Sequence, residues 1–192
     1  MKHVNVALFV PHAGCPHQCS FCNQKTISGS IKPLTPEDVT AACDIAKNGG
    51  VTRESSEIAF FGGSFTAVDR DYMVSLLEAA KPYIDGGYFG GIRISTRPDA
   101  IDDERLEILK KYHVTSIELG AQSMDDSVLK INRRGHTAKD VENASHLIKS
   151  YGFSLGLQMM TGLMGDTDEK CIKTAERLIA LSPDTVRIYP TI

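Results

Sequence analysis

Six short runs of apolar and β-branched residues alternate with five helix-patterned stretches along this chain, and that alternation narrows the fold more than any other feature. The runs are Val4 to Val10, Glu57 to Phe61, Gly91 to Thr96, Ser116 to Leu119, Ser154 to Met160 and Thr185 to Tyr189, each of strand length. Between them lie capping signals. Thr35-Pro36-Glu37-Asp38 supplies a cap, a proline at the first helical position and acids in the first turn, ahead of a helix that runs toward Gly49-Gly50. Asp69 precedes a stripe of Met73, Leu76, Leu77 and Ala80, and Asp102 one of Leu106, Leu109 and Tyr112, both with core-facing helical spacing. Thr137 opens a helix that ends at Gly152, and Thr167 or Asp168 opens one through Cys171, Ala175, Leu178 and Leu181 before Pro183. Parallel strands need crossovers, so this order predicts a parallel α/β sheet with right-handed connections. The near-continuous apolar strands predict cover on both faces. A partial barrel and an open doubly wound sheet share this pattern, and periodicity alone leaves both open. In either, chemistry falls at the C-terminal ends of the strands.

Composition narrows the function. The 192 residues hold no run of eighteen apolar residues and no linker or repeat, which predicts one globular domain. The apolar run ending at Pro11 is too short for a signal peptide or membrane helix, so a cytoplasmic protein without membrane association is expected. With 21 basic and 24 acidic side chains, net charge gives no support to nucleic-acid binding. Three of the five cysteines fall within eight residues, which favours a metal site in a reducing compartment over disulfides.

Those three form Cys15-Pro16-His17-Gln18-Cys19-Ser20-Phe21-Cys22 just past the first strand. A cubane 4Fe-4S cluster normally takes four thiolates, so three leave one iron open to an exogenous ligand. Zinc with His12 or His17 as fourth ligand is the rival. Its ligands usually come as separated pairs, and no second pair follows here. Cys43 and Cys171 stand mid-helix among apolar neighbours and are expected to be small buried core residues.

The CxxxCxxC spacing with Phe21 before its last cysteine resembles the radical S-adenosylmethionine (SAM) superfamily. Four further segments extend the likeness over nearly the whole chain. Phe60-Phe61-Gly62-Gly63-Ser64-Phe65-Thr66, Ser95-Thr96-Arg97-Pro98-Asp99, Glu118-Leu119-Gly120-Ala121-Gln122-Ser123 and Arg134-Gly135-His136-Thr137 resemble the branch holding the Elongator catalytic subunit and oxygen-independent coproporphyrinogen III oxidase. The resemblance implies a six-stranded parallel partial (βα)6 barrel, with Cys15, Cys19 and Cys22 as cluster ligands.

It also assigns cofactor contacts to the strand ends. Phe21 lies within the cluster loop. Gly62 and Gly63, with Ser64, follow the second strand, where backbone can approach a ligand closely and its carbonyls can accept from the methionine ammonium. Ser95 stands where similar enzymes bind the ribose, often with a carboxylate. Gln122 offers donor and acceptor, and Arg134 a planar fork for the methionine carboxylate, with Arg133 as its competitor. Gln158 aligns with a position that is acidic in the coproporphyrinogen oxidases, which argues for a ribose or adenine contact and against porphyrinogen chemistry. Met164 stands where relatives commonly carry a proline, and Met159 and Met160 are read as core. Strand parity leaves the direction of Glu118 open.

The activity implied is reductive cleavage of SAM to methionine and a 5′-deoxyadenosyl radical, with an electron donor such as flavodoxin or ferredoxin and an unknown substrate. tRNA modification and tetrapyrrole synthesis are the two substrate classes the branch raises. A non-catalytic zinc or iron-sulfur binding module is the alternative of another kind. The chain stops at Arg187-Ile188-Tyr189-Pro190-Thr191-Ile192, so residues 1–192 are expected to be a radical SAM core truncated after its sixth strand. That strand should then show apolar side chains and a free edge.

Overall fold

The structure is a computed structural model that describes residues 4–10, 19–22 and 32–191. Its first strand, β1, spans Val4–Val10 and pairs with β2, Ser56–Gly62. Between them α1, Pro36–Asn48, starts with a capping box in which the Thr35 hydroxyl and the Asp38 carboxylate reciprocally bind backbone N–H groups. The helix α2, Arg70–Asp85, leads to β3, Ile92–Thr96, and α3, Asp103–Lys111, to β4, Val114–Gln122. Asp69 and Asp102 cap the two helices by accepting from the N–H groups of Tyr72 and Arg105. After β4 come a short helix that the sequence pattern does not predict, α4, Asp126–Ile131, and α5, Ala138–Ser150. Then follow β5, Ser154–Thr161, α6, Asp168–Ala180, and β6, Thr185–Pro190.

All five pairings are parallel and the strand order is sequential, β1 to β6. The sheet curls into a half-barrel, which resolves the ambiguity that periodicity leaves. One side-chain face, with Leu8, Phe60, Ile94, Ile117, Leu119, Leu157 and Met159, packs against Val39, Leu76, Leu77, Leu106, Val141 and Leu178 of the helices in a single core.

The opposite, concave face corrects the expectation of apolar cover on both sides. It carries Glu57 on β2, Arg93 on β3, Glu118 on β4, Gln158 on β5 and Arg187 on β6, joined by direct side-chain bonds. Buried ionic groups persist only when they are paired in this way.

On β6 the core-facing register continues through Val186 and Ile188, opposite the buried Leu157 and Met159. Among the described residues no helix covers them, and they are 42% and 60% exposed. An exposed apolar edge strand is a template for pairing between chains. A polypeptide of these 192 residues is therefore expected to form concentration-dependent oligomers in sedimentation velocity. The Val186→Lys, Ile188→Lys double variant should sediment as a monomer, and a wild-type chain that stays monomeric at every concentration would contradict this.

Candidate functional site

The candidate site gathers where the strands end. Cys15 lies outside the described residues. Cys19 and Cys22 are both half-buried, on a turn closed by the Cys22 N–H donating to the Cys19 carbonyl at 3.1 Å. Asn132 pins that turn. Its carbonyl accepts from the Ser20 N–H at 3.2 Å, and its Oδ1 from the Ser20 hydroxyl at 2.7 Å. Its Nδ2 donates to the carbonyls of Val128 and Met164. One buried amide thereby ties together the loops that follow β1, β4 and β5. Nothing in the sequence signals this role, because an asparagine at a helix end is ordinary.

Two residues further on, Arg134 turns inward. It is 7% exposed, whereas Arg133 is exposed and left-handed at φ 55°. The Nη2 of Arg134 donates to the Gly120 carbonyl at 2.5 Å, and its Nη1 lies 3.3 Å from Cys19 Sγ. Its guanidinium carbon is 5.8 Å from the centre of the Phe21 ring. Neither arginine sits on a helix, since α4 ends at Ile131. The Arg134 carbonyl accepts from Arg97 Nη2 at 2.7 Å, and Arg97 grips Asp99 with two bonds of 2.9 Å. Burial raises the pKa of Asp99, but Arg97 more than offsets it and holds the carboxyl below its usual range. Burial, and then the charge of Arg134, lowers His136 to about 4, so its imidazole is neutral. Nε2–H is then the ring's donor to the Ala121 carbonyl at 3.1 Å.

At the end of β2, Gly62 has φ +111° and a Cβ there would lie 2.5 Å from the Val10 carbonyl oxygen. Only glycine fits this close approach. The Gly63 N–H donates to that same carbonyl at 3.1 Å, which ties the turn to the end of β1. Ser64 is buried and already engaged: its hydroxyl meets Thr96 Oγ1 at 2.8 Å and accepts from the Arg97 N–H at 3.1 Å. It organises the strand ends and has little left for a ligand.

Ser95 and Gln122 differ from it. Ser95 Oγ, Gln122 Oε1 and Arg134 Nε are buried atoms without a hydrogen-bond partner among the described residues. Each such atom costs about 1–3 kcal/mol, and all three belong to residues expected to contact a cofactor. Gln122 is left-handed at φ 67°, at a register shift between β4 and β5 that turns its amide toward Gly120. A Cβ on Gly120 would meet Gln122 Nε2 at 3.0 Å and Arg134 Nη2 at 3.3 Å, so the glycine keeps this corner open. Gln158 is half-buried, with Nε2 donating to Glu118 Oε2 at 2.8 Å. Gln122 and Arg134 border the space over Gly120, Arg134 reaches the thiol of Cys19, and Ser95 ends the neighbouring β3, a set of donors and acceptors whose chemistry suits a zwitterionic, hydroxyl-bearing ligand.

The remaining cysteines stand apart. Cys43 is buried on α1, and its thiol is pushed up to about 12 by burial and then by Asp44, which makes it a poor metal ligand. Cys171 on α6 is half-buried against the core and so is less enclosed than its apolar neighbours predict. A cavity of about 470 Å³ beside α6 contains Lys170, Lys173 and Arg177. Each of these cations is paired, with Asp125, Glu169 and Glu142 in turn.

Residues 9–178 match the Radical SAM superfamily, and the chain belongs to that superfamily. It is 25% identical over 222 residues to a tRNA uridine(34) acetyltransferase of Dehalococcoides mccartyi, covering 97% of this chain and 48% of the relative. The archaeal Elp3 of Methanocaldococcus infernus superposes with a TM-score of 0.72 at 21% identity, over 99% of this chain and 46% of that one. Coproporphyrinogen III oxidase (HemN) of Escherichia coli gives 0.70 at 15% identity, over 100% and 45%. At these identities the structural likeness establishes the shared half-barrel. The chain spans about half the length of the curated relatives it matches.

Proposed function

We propose that this protein is a radical SAM enzyme that holds a 4Fe-4S cluster on Cys15, Cys19 and Cys22 and binds SAM across the ends of β2 to β5. The observation that carries this reading is that buried polar atoms of Ser95, Gln122 and Arg134 at the strand ends lack a partner among the described residues, with Arg134 reaching Cys19. Cluster and SAM together supply reductive cleavage to methionine and a 5′-deoxyadenosyl radical, which takes a hydrogen atom from the substrate. Within that scheme Cys15, Cys19 and Cys22 supply the thiolates and leave one iron for the cofactor. Phe21 screens the loop and stacks near Arg134. Gly62 and Gly63 let backbone reach the methionine amine, while Gln122 and Arg134 orient its carboxylate end. Ser95 and Gln158 take the nucleoside end.

The electron comes from a small carrier of the flavodoxin or ferredoxin kind. The substrate class favoured is a tRNA nucleoside, on the strength of relatives named for tRNA uridine modification. Gln158, neutral where the coproporphyrinogen oxidases are acidic, weighs against porphyrinogen chemistry. The reconstituted, reduced protein incubated with SAM should release 5′-deoxyadenosine and methionine in equal amounts. Absence of 5′-deoxyadenosine from protein shown to carry a cluster would remove the enzymatic reading.

A further inference from the structure

Glu118 lies at the middle of the concave floor and is 1% exposed. Its Oε1 accepts from Arg93 Nη1 at 3.1 Å and from Arg187 Nη2 at 2.9 Å, and its Oε2 accepts from Gln158 Nε2 at 2.8 Å. Arg93 is held from its other side by Glu57 at 2.8 Å. The room for this carboxylate is made by its neighbour in register, Gly156, where a Cβ would lie 2.8 Å from Glu118 Cγ. One buried acid therefore links β3, β4, β5 and β6.

This arrangement decides which end of Gln158 meets a ligand. A carboxamide carries a donor and an acceptor at opposite corners, and the partner at one corner dictates what the other presents. A carboxylate flanked by two guanidinium groups only accepts, so it takes the NH2 end and leaves Oε1 without a described partner. Gly120 stands opposite Gln158 in register, and the space above it is bordered by Gln122 and Arg134. The free carbonyl thus lies on the concave face, on the β5 side of that space.

We infer that Glu118 is a positioning residue that locks Gln158 as a one-way acceptor, so that this part of the concave face selects a ligand donor, a nucleoside hydroxyl or exocyclic amine. The inference rests on the cofactor reading above. Where a relative would accept with a carboxylate at this position, this chain uses a neutral amide and keeps the charge one layer deeper, where two arginines neutralise it.

The test is calorimetric titration of anaerobically reconstituted protein with SAM, with melting temperatures recorded alongside. Glu118→Gln frees the amide at 158 to turn either way, and affinity should fall about three- to tenfold, the scale of one net hydrogen bond. The swapped variant Glu118→Gln, Gln158→Glu keeps the charge of the pair and restores an obligate acceptor at 158, so affinity should return to within about twofold. A purely structural Glu118 would leave the swap as weak as the single variant. Gln158→Met leaves Glu118 between its arginines and should weaken binding with little change in melting temperature. Wild-type affinity in Gln158→Met, or a swap that fails to restore binding, would overturn this inference alone. Wild-type protein that binds no SAM would overturn it together with the cofactor reading.

Discussion

Alanine in place of Cys15, Cys19 or Cys22 should abolish a stable 4Fe-4S cluster, while alanine at Cys43 or Cys171 leaves iron retention at the wild-type level. A cubane with three protein ligands has no thiolate to spare, and loss of one leaves two adjacent anchors that cannot retain it. The contrast is sharpened by burial. Cys43 is enclosed on α1 with its thiol pushed up to about 12, so it cannot readily supply the missing thiolate. Cys171 lies on α6, outside the cysteine loop, with its thiol also raised by burial and then by Asp166 and Asp168. Iron and sulfide analysis of the five single variants decides the matter, and equal iron in all five would end the assignment.

Arg134→Ala should weaken SAM binding by about 1.5–3 kcal/mol, the usual scale for a hydrogen bond to a charged group, or roughly ten- to 150-fold. Arg133→Ala should change it little. The two side chains adjoin in sequence but not in environment, since Arg133 is exposed while Arg134 is buried against the Gly120 carbonyl of β4. Arg134 Nη2 is fixed to the Gly120 carbonyl, its Nη1 faces Cys19, and Nε is unpartnered. The fork is therefore pre-set, and its enclosed, unmet donor is one that a carboxylate would satisfy. Anaerobic calorimetry of both variants is the check, and the reverse ranking would move the contact to Arg133.

Most of the fold was legible because local signals agreed with tertiary demands. The caps at Thr35, Asp69, Asp102, Thr137 and Thr167 all engage the N–H groups that their sequences predict. The strands were legible for the same reason, with boundaries displaced by no more than three residues. What escaped was the charged floor. Glu57, Glu118 and Gln158 each stand alone among small or apolar residues on the inner face of β2, β4 and β5, and the one clear alternation among the inner strands, Ile92-Arg93-Ile94-Ser95 on β3, is only four residues long. Glu118 was obscure for a further reason: the register of β4 shifts between Gly120 and Gln122, and parity counted back from the site fails across such a bulge. The short α4 also escaped, since six residues with one turn of apolar pattern resemble a loop.

The candidate site was legible where chemistry dictates residue type, as in the cysteine spacing, the glycine pair and the choice of Arg134. Its supports were not. Asn132, Glu118 and Arg97 act through other residues, and their side chains carry no spacing signature. Ser64 shows the converse, since a hydroxyl that suits a ligand in sequence is used up by Thr96 and Arg97 in the fold.

The most direct test of the central claim is metal analysis of the anaerobically purified and reconstituted chain, followed by addition of SAM. The expected result is brown protein with about four iron and four sulfide per chain, no stoichiometric zinc, and an electron paramagnetic resonance spectrum of the reduced cluster that changes when SAM is added. Colourless protein with one zinc per chain and no spectral response to SAM would contradict it.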